Sequence, residues 1–454
     1  MAKTTRDNYL RSNNARYVWH PMAHPAEMAA HPPHIIMAGE GVHVTDIDGR
    51  RLLDAVGGLW NVNLGYSCDP IKRAMAEQLE TLPYYSAFRG TTHPGVIELS
   101  HRLVELTEKE GMARAFFTSG GSDSVETALR LARQYWKLRG ERDRTKFIAL
   151  TRGYHGTHFG GASVNGNPQF RRQYEPLMPG VFHIPAPLTY RNPFNETDPE
   201  RLAEICASLL DEQIKLQGPD TVAAFIAEPV MGAGGVIVPP RSFWPRIREV
   251  CDRHGVLLIA DEVVTAFGRT GSLFGCRGWG VAPDLICIAK AITSGYFPLG
   301  ATLINKRIAD AFAANADALG QIGHGYTYSG HPVGCAAALA AIDVTLSRDL
   351  PAHARIEGEH FNARLRALAE RDASIGEARG LGLMAALELV ADKRSKEPAS
   401  KAFMQRVADL AYERDVLIRV SGNNIILSPP LVVERQHVDT IVDVLGDAIR
   451  LAAG

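Results

Sequence analysis

The 454-residue chain is poor in the features that would send it to nucleic acid, to a membrane or to an oxidising compartment. Its 49 Lys and Arg almost balance its 50 Asp and Glu, leaving a formal net charge of −1. No broad basic field is therefore available to a polyanion, and no acidic tail is present. No apolar run approaches the ~20 residues that a membrane-spanning helix needs. The opening MAKTTRDNYLRSNNARYVWH lacks the apolar stretch of a secretory signal. Cysteine is scarce and scattered: Cys68, Cys206, Cys251, Cys276, Cys287 and Cys335, with no C-x-x-C pair. That usage argues against a disulfide framework or a structural zinc site and suits a reducing cytoplasm, with the thiols packed in a core. No internal repeat or low-complexity linker is evident.

What is present is ample apolar material. Hydrophobic residues make up 46% and charged residues 22%, and the length allows a large core and more than one domain. His20, His24, His31 and His34 cluster near the start, but intervening prolines prevent one helical face from presenting them, and no metal is expected. Short strands are expected at 34–37 and 41–45, and a helix opening at Asp69-Pro70 with the acid as its cap. A helix is expected at 122–138, with Val125, Ala128, Leu129, Ala132 and Tyr135 on one face. Short Ile/Val/Leu-rich runs at 146–150, 222–227, 256–260 and 285–289 alternate with amphipathic helices at 200–216 and 241–254. Such alternation predicts a mostly parallel sheet covered on both faces, with sites at the carboxyl ends of its strands. After about residue 345 the texture changes. Helices at 352–371, 399–414 and from Glu434, with strands at 382–389, 416–420 and 425–428, predict a smaller α+β domain that the N-terminal segment joins.

The chemistry concentrates at the strand ends. Asp261 closes the run GVLLIAD, and Lys290 follows the run DLICIA twenty-nine positions later. An acid and an amine at neighbouring strand ends can hold opposite poles of one aromatic cofactor, and pyridoxal phosphate wants both. Alone, Asp261 could cap a turn and Lys290 could snorkel to the surface. Together, the acid would pair with a pyridinium nitrogen, at ~3 Å and an effective dielectric of ~20 a gross attraction of roughly 5 kcal/mol. The lysine would bond the aldehyde and, once released, shuttle a proton. Glu262 is expected to be structural, whereas Glu228, in IAEPV, ends another strand. The segment Phe116-Phe117-Thr118-Ser119-Gly120-Gly121-Ser122 runs from an apolar stretch into a helix, a phosphate-cradling pattern that is weak alone. Thr327, in HGYTYSGHPVG, is a second phosphate donor candidate. Tyr154, in RGYHG, could stack on a ring or be a packed tyrosine. The run Gly380-Leu381-Gly382-Leu383-Met384-Ala385 only loosely matches a dinucleotide fingerprint and reads better as strand.

Seven motifs in order cover essentially the whole chain: GGLWNVNLGY, FFTSGGSDSVETALR, RGYHGTHFG, AEPV, LLIADEVVTAFGRTG, CIAKAITSGYFPLGA and YTYSGHPVGCAAAL. Together they closely resemble the class III aminotransferases, pyridoxal-phosphate enzymes of fold type I. The resemblance implies an α/β fold with a large domain at 61–345, built on a mostly parallel seven-stranded sheet, and a smaller α+β domain from 1–60 and 346–454. It implies that Lys290 bonds the cofactor and Asp261 binds its ring nitrogen. Val263 and Tyr154 would flank the ring, and Glu228 would support its surroundings. Gly120, Gly121 and Ser122 would hold the phosphate. Many relatives read Ser-Gly-Ser or Ser-Gly-Thr where this chain has Gly120-Gly121-Ser122, so one phosphate-side hydroxyl is expected to be missing. Tyr326 and Thr327 match positions that reach the phosphate from a partner subunit, which implies a homodimer, with a tetramer also open.

Within the family the chain looks most like the ω-amino acid–pyruvate transaminases. Trp60 and Phe88 match walls of the substrate pocket. Arg419, in LIRVSGNNIILSPPL, matches an arginine that takes the acceptor carboxylate, a geometry its guanidinium fork suits; otherwise it is a surface strand residue. The expected activity is ping-pong transfer of an amino group from an ω-amino acid or primary amine to pyruvate or a similar 2-oxo acid. A relative using 2-oxoglutarate, or an aminomutase, would share most of these motifs. A cofactor-binding regulator would add a DNA-binding segment, and none is visible. A nucleotide-binding oxidoreductase lacks its glycine fingerprint.

Overall fold

A computed structural model describes residues 5–315 and 317–454. At its centre is a seven-stranded sheet built from β1 (Met112–Thr118), β2 (Lys146–Leu150), β3 (Val181–Ile184), β4 (Val222–Ala227), β5 (Leu257–Asp261), β6 (Leu285–Ile288) and β7 (Gly300–Asn305). The spatial order is β1-β7-β6-β5-β4-β2-β3. Every neighbouring pair is parallel except the two made by β7, which runs antiparallel to both β1 and β6.

The apolar runs are continuous rather than alternating because both faces of the sheet are covered. Phe147 and Ala149 of β2 join Val125, Leu129, Ala132 and Tyr135 of the helix Gly121–Leu138 on one face. Ile148 and Leu150 point the other way, into a cluster with Leu202, Cys206 and Leu210 of Pro199–Gln217 and Trp244 and Ile247 of Phe243–His254. That two-residue alternation is the pleat of the strand. Each fully buried Leu, Ile or Phe contributes on the order of 1.5–3 kcal/mol relative to exposure. All six cysteines are buried and free.

The chain termini build a second body of structure. Ile36–Glu40, His43–Asp46 and Arg51–Asp54 form a small antiparallel sheet, and Val416–Leu417 joins its edge parallel to Arg51–Asp54. The N-terminal segment thus packs with the C-terminal region, as expected. A second sheet, Ile375–Leu381, Met384–Asp392, Asn424–Leu427 and Arg419–Ser421, is antiparallel throughout. The helices Leu350–Arg371, Lys401–Glu413 and Arg435–Ala453 bury a shared core against these strands.

The differences from expectation have local causes. The single strand expected at 382–389 is one arm of a hairpin, because Gly382 sits at φ +58 and turns the chain between Leu381 and Met384. Its other arm, IGEARGL, carries too many polar residues to read as a strand. Likewise Gly41, at φ +56, is the turn of the first hairpin, which shifts the two N-terminal strands to Ile36–Glu40 and His43–Asp46. Cys68 rather than Asp69 caps the helix Asp69–Thr81. β5 starts one residue later than expected and includes Asp261, while β6 stops at Ile288. The short strands β3 and β7 were not expected. Among the described residues no helix is long and apolar enough to cross a membrane.

The tightest approach between helix and turn is at Gly358, in Leu350–Arg371, whose missing side chain lets the helix lie on the Gly382 turn. A Cβ there would collide with the Gly382 backbone, which cannot rotate away. Gly358→Ala should therefore destabilise by about 1–3 kcal/mol through overpacking. A thermal-unfolding midpoint indistinguishable from wild type would show that the turn yields.

Candidate active site

The carboxyl ends of β4, β5 and β6 lie side by side, and Asp261 stands opposite Cys287 in the parallel register of β5 with β6. A carboxylate there is almost out of water, with Asp261 only 4% exposed, so it needs donors. It has two. His155 Nδ1 lies 2.8 Å from Oδ2, and the Val263 backbone N–H donates to Oδ1 at 3.2 Å. The imidazole is itself buried and fixed by its backbone, whose N–H donates to Asn165 Oδ1 at 2.5 Å. Its Nε2 is buried with no partner among the described residues.

Glu228 follows β4. Its Oε1 accepts the Tyr154 N–H at 3.1 Å and its Oε2 accepts the Gly232 N–H at 2.7 Å. Burial pushes its carboxyl up to about 7, with the nearby Asp261 charge adding to the rise. Glu262 is fully buried too, but it serves the backbone. It accepts from the N–H groups of Gly275 at 2.8 Å and Cys276 at 2.7 Å and from Thr265 Oγ at 2.5 Å.

Lys290 lies just past β6, where the chain breaks into a short turn and the residue takes φ +50. Burial lowers the affinity of its amine for a proton, while the Asp261 and Glu228 charges pull the other way. Arg419, on the short strand Arg419–Ser421, is close enough to push the amine down further. Neither Lys290 nor Arg419 has a hydrogen-bond or ion-pair partner among the described residues, although both are half-buried. Arg419 is thus not the surface strand residue that its sequence also allowed. Tyr154 stands between these groups and Phe170, its ring 4.9 Å from the Phe170 ring and edge-on to it. Burial and the Asp261 charge hold its phenol above its ordinary range.

The helix Gly121–Leu138 begins beside this cluster. The N–H groups of Gly121 and Ser122 have no acceptor among the described residues, as the first turn of a helix dictates. Glycine at 121 is required by close approach, since a Cβ there would lie 2.8 Å from a Val263 methyl. A Cβ at Gly120 would meet nothing within 4 Å, so the space in front of the helix is open. Ser122 Oγ accepts the Thr157 N–H at 3.1 Å, which brings a second hydroxyl, Thr157 Oγ, within 3.4 Å of it. Thr157 escaped the sequence reading, and its hydroxyl stands beside that of Ser122.

Trp60 is buried among Val230, Val236, Met384, Ala386 and Ile426, two residues along the chain from Glu228 at its Val230 contact. Phe88, Tyr326 and Thr327 stand apart from the Asp261–Lys290 cluster. Phe88 is 49% exposed and lies against Gly325. The Tyr326 hydroxyl donates at 3.2 Å to the Asp123 carbonyl, in the first turn of the helix Gly121–Leu138. Thr327 is exposed, with its carbonyl accepting from the Tyr84 hydroxyl at 2.7 Å. His155 was quoted within its motif but given no role. The signal available was its place five residues past β2, on the loop that leaves the same sheet edge.

Comparison with known proteins gives the same picture. A family profile described as Aminotransferase class-III matches residues 25–449. The chain belongs to the class III aminotransferases. Among its relatives is the putrescine–pyruvate aminotransferase of Pseudomonas aeruginosa, 38% identical over 90% of this chain and 88% of the relative. Another is the mitochondrial gamma-aminobutyrate transaminase 1 of Oryza sativa subsp. indica, 37% identical over 92% and 81%. An amine transaminase from an uncultivated Pseudomonas species, solved in its PLP-bound form, is 52% identical and superposes with a TM-score of 0.95 over 96% of this chain and 99% of that one. The aminotransferase is therefore a fold-type I, pyridoxal-phosphate-dependent enzyme. Its donor set fits that cofactor: a buried acid and an unpartnered amine at adjacent strand ends, and free helix N–H groups facing open space.

Removing the imidazole tests the pair at the centre of this arrangement. His155→Ala leaves Asp261 Oδ2 buried with no donor and should cost about 1–3 kcal/mol. The melting temperature should fall and the cofactor should dissociate more readily on dialysis. A variant matching wild type in both measurements would remove His155 from the site.

Proposed function

We propose that this aminotransferase carries an amino group from an ω-amino acid or other primary amine to pyruvate or a similar 2-oxo acid, in a ping-pong cycle. The observation that carries the reading is the unpartnered, half-buried guanidinium of Arg419 beside Lys290 and Tyr154. A planar fork with no counter-ion suits the carboxylate of an acceptor or of an ω-amino acid. The names of the relatives above, one a pyruvate enzyme and one a gamma-aminobutyrate transaminase, support this range of substrates and leave 2-oxoglutarate as the competing acceptor.

Bound at this site, pyridoxal phosphate supplies an electron sink that stabilises negative charge on the substrate carbon. In this reading Lys290 anchors the cofactor and moves the proton, since burial favours the neutral amine that a base must be. Asp261, oriented by two donors, pairs with the ring nitrogen. Glu228 sets the field next to Asp261. Tyr154 and Val263 flank the ring, and the N–H groups of Gly120, Gly121 and Ser122, with the Ser122 hydroxyl, take the phosphate. Trp60 and Phe88 wall the substrate pocket.

The same reading makes the working enzyme a homodimer or a tetramer, in which Tyr326 and Thr327 complete the neighbouring site. Its support is the exposed aromatic surface of Tyr84, Tyr85, Phe88 and Tyr328 around Thr327, more than an isolated chain leaves bare without purpose. Division into 61–345 and a unit of 1–60 with 346–454 is supported by the pairing of Arg51–Asp54 with Val416–Leu417. Six free thiols support a cytoplasmic setting.

Two variants test the assignment. Lys290→Ala should lose the near-visible band that borohydride abolishes in the wild type, and turnover should fall by several orders of magnitude. Substantial remaining transamination would reject Lys290. Arg419→Ala should raise KM for pyruvate about tenfold or more while changing KM for an uncharged arylalkylamine little, since charge-assisted hydrogen bonds are worth about 1.5–3 kcal/mol. Equal changes in both would make Arg419 structural.

A further inference from the structure

A cavity of about 650 Å³ with several cationic side chains in its wall lies at the end of β2. Its wall includes Arg152, Tyr190, Arg191, Asn192, Glu196 and Lys396. Arg152 sits at φ +68 in the turn that leaves β2, two residues before Tyr154. Its guanidinium is half-buried, and burial lowers its affinity for a proton, yet it has no hydrogen bond or ion pair among the described residues. A partly desolvated guanidinium without a counter-ion is unfavourable unless something offsets it.

The nearby carboxylates do not offset it, because each is engaged elsewhere. Glu388 is taken by Arg191 and by Arg379, the latter at 2.8 Å. Glu377 pairs with Arg379 at 2.5 Å. Glu196 accepts the backbone N–H groups of Thr197 at 2.7 Å and Asp198 at 2.8 Å. Lys396 adds a further positive charge, with its Nζ donating to the Tyr190 carbonyl at 2.7 Å and 4.6 Å above the Tyr190 ring. One donor bond leaves the ammonium with hydrogens to give. The wall is rigid, since Asn192 Oδ1 accepts the N–H groups of Phe194 at 3.2 Å and Glu196 at 2.9 Å. The cavity therefore presents a fixed cationic lining with one guanidinium unclaimed.

We propose that this cavity is a second binding site, distinct from the cofactor site, for a small oxyanion whose carboxylate or phosphate group is gripped by Arg152 with Lys396 alongside. The geometry calls for a compact, strongly charged group, because a guanidinium fork matches two oxygens of one such group and Lys396 adds a second positive charge to the wall. The proposal stands on residues that the transamination site does not use, so it survives or fails independently of the substrate reading.

The test uses the cofactor-loaded enzyme and two probes, inorganic phosphate and malonate, each followed by titration of the melting temperature at constant ionic strength. At least one probe should stabilise saturably, and which of the two does so separates a phosphate from a carboxylate ligand. Arg152→Gln should weaken that response about tenfold or more, in line with losing charge-assisted hydrogen bonds. Arg152→Lys, which keeps the charge but not the fork, should fall between. Crystals of the wild type soaked in selenate, a phosphate-shaped anion with an anomalous signal, should show a peak beside Arg152. No saturable response to either probe, an undiminished response in Arg152→Gln, or a selenate peak only at other positions would overturn the proposal. If Arg152→Gln does not fold, the selenate map and Arg152→Lys decide it.

Discussion

A carboxylate at the end of β5, withdrawn from water, governs the rest of the site. Asp261 has two donors, and those donors dictate two neighbouring segments. The Val263 N–H fixes the turn after β5, and with it the methyls that force a glycine at position 121. The His155 imidazole fixes the loop after β2, and so the Tyr154 backbone that Glu228 also grips. One buried charge therefore aligns the helix N-terminus, the aromatic residue and the second carboxylate. The two acids have different partners: Asp261 has a histidine and an amide, while Glu228 has backbone donors only and rises to about 7. Environments that push like groups apart assign them different work.

The parts distant in sequence are fastened to this frame by buried arginines. Arg269, fully buried just beyond β5, donates to the carbonyls of Leu383 and Pro429 and to Asn63 Oδ1 at 2.7 Å. It thereby joins the N-terminal segment, the region after β5 and the C-terminal hairpins at one point. Arg379 makes a similar join, from the C-terminal sheet to the Gly235 carbonyl at 2.7 Å. Burying guanidinium groups is costly unless each N–H finds an acceptor, and a wrong docking of the C-terminal sheet would leave these unpaired. That sheet carries Arg419, so its docking sets the distance between the proposed carboxylate clamp and Lys290.

Much of this was legible in the sequence, for identifiable reasons. Charged residues that interrupt Ile- and Leu-rich runs at strand length stand out, and Asp261, Lys290 and Glu228 were found that way. Glu262 reads correctly as structural because one face of the turn cannot serve two roles. What escaped was information carried by distance in space. The partner of Asp261 is His155, 106 residues earlier in the chain, and no local pattern announces the pair. Thr157 enters the cradle only because Gly156, at φ +102, folds the loop onto Ser122. The hairpin at Gly382 was hidden because a glycine in a strand-like run signals either a turn or a bulge, and the polar arm before it offers no alternation to choose. Phe88 was named by resemblance alone, and in one chain both it and Thr327 lie at the surface.

The spacing of Lys290 and Arg419 has a consequence for how the proposed site treats two kinds of substrate. The guanidinium lowers the proton affinity of the amine, while Asp261 and Glu228 raise it. A carboxylate that pairs with Arg419 cancels the guanidinium's contribution, so the proton affinity of Lys290 rises when such a substrate is bound. An uncharged amine leaves the repulsion in place, and Lys290 stays closer to the neutral form that accepts a proton from carbon. The donor half of the cycle with an uncharged amine needs a base first, and the acceptor half with a 2-oxo acid needs an amine that can deliver a proton to carbon. In this proposal the substrate's own charge shifts the proton affinity of Lys290, in one sense for a 2-oxo acid or an ω-amino acid and in the other for an uncharged amine.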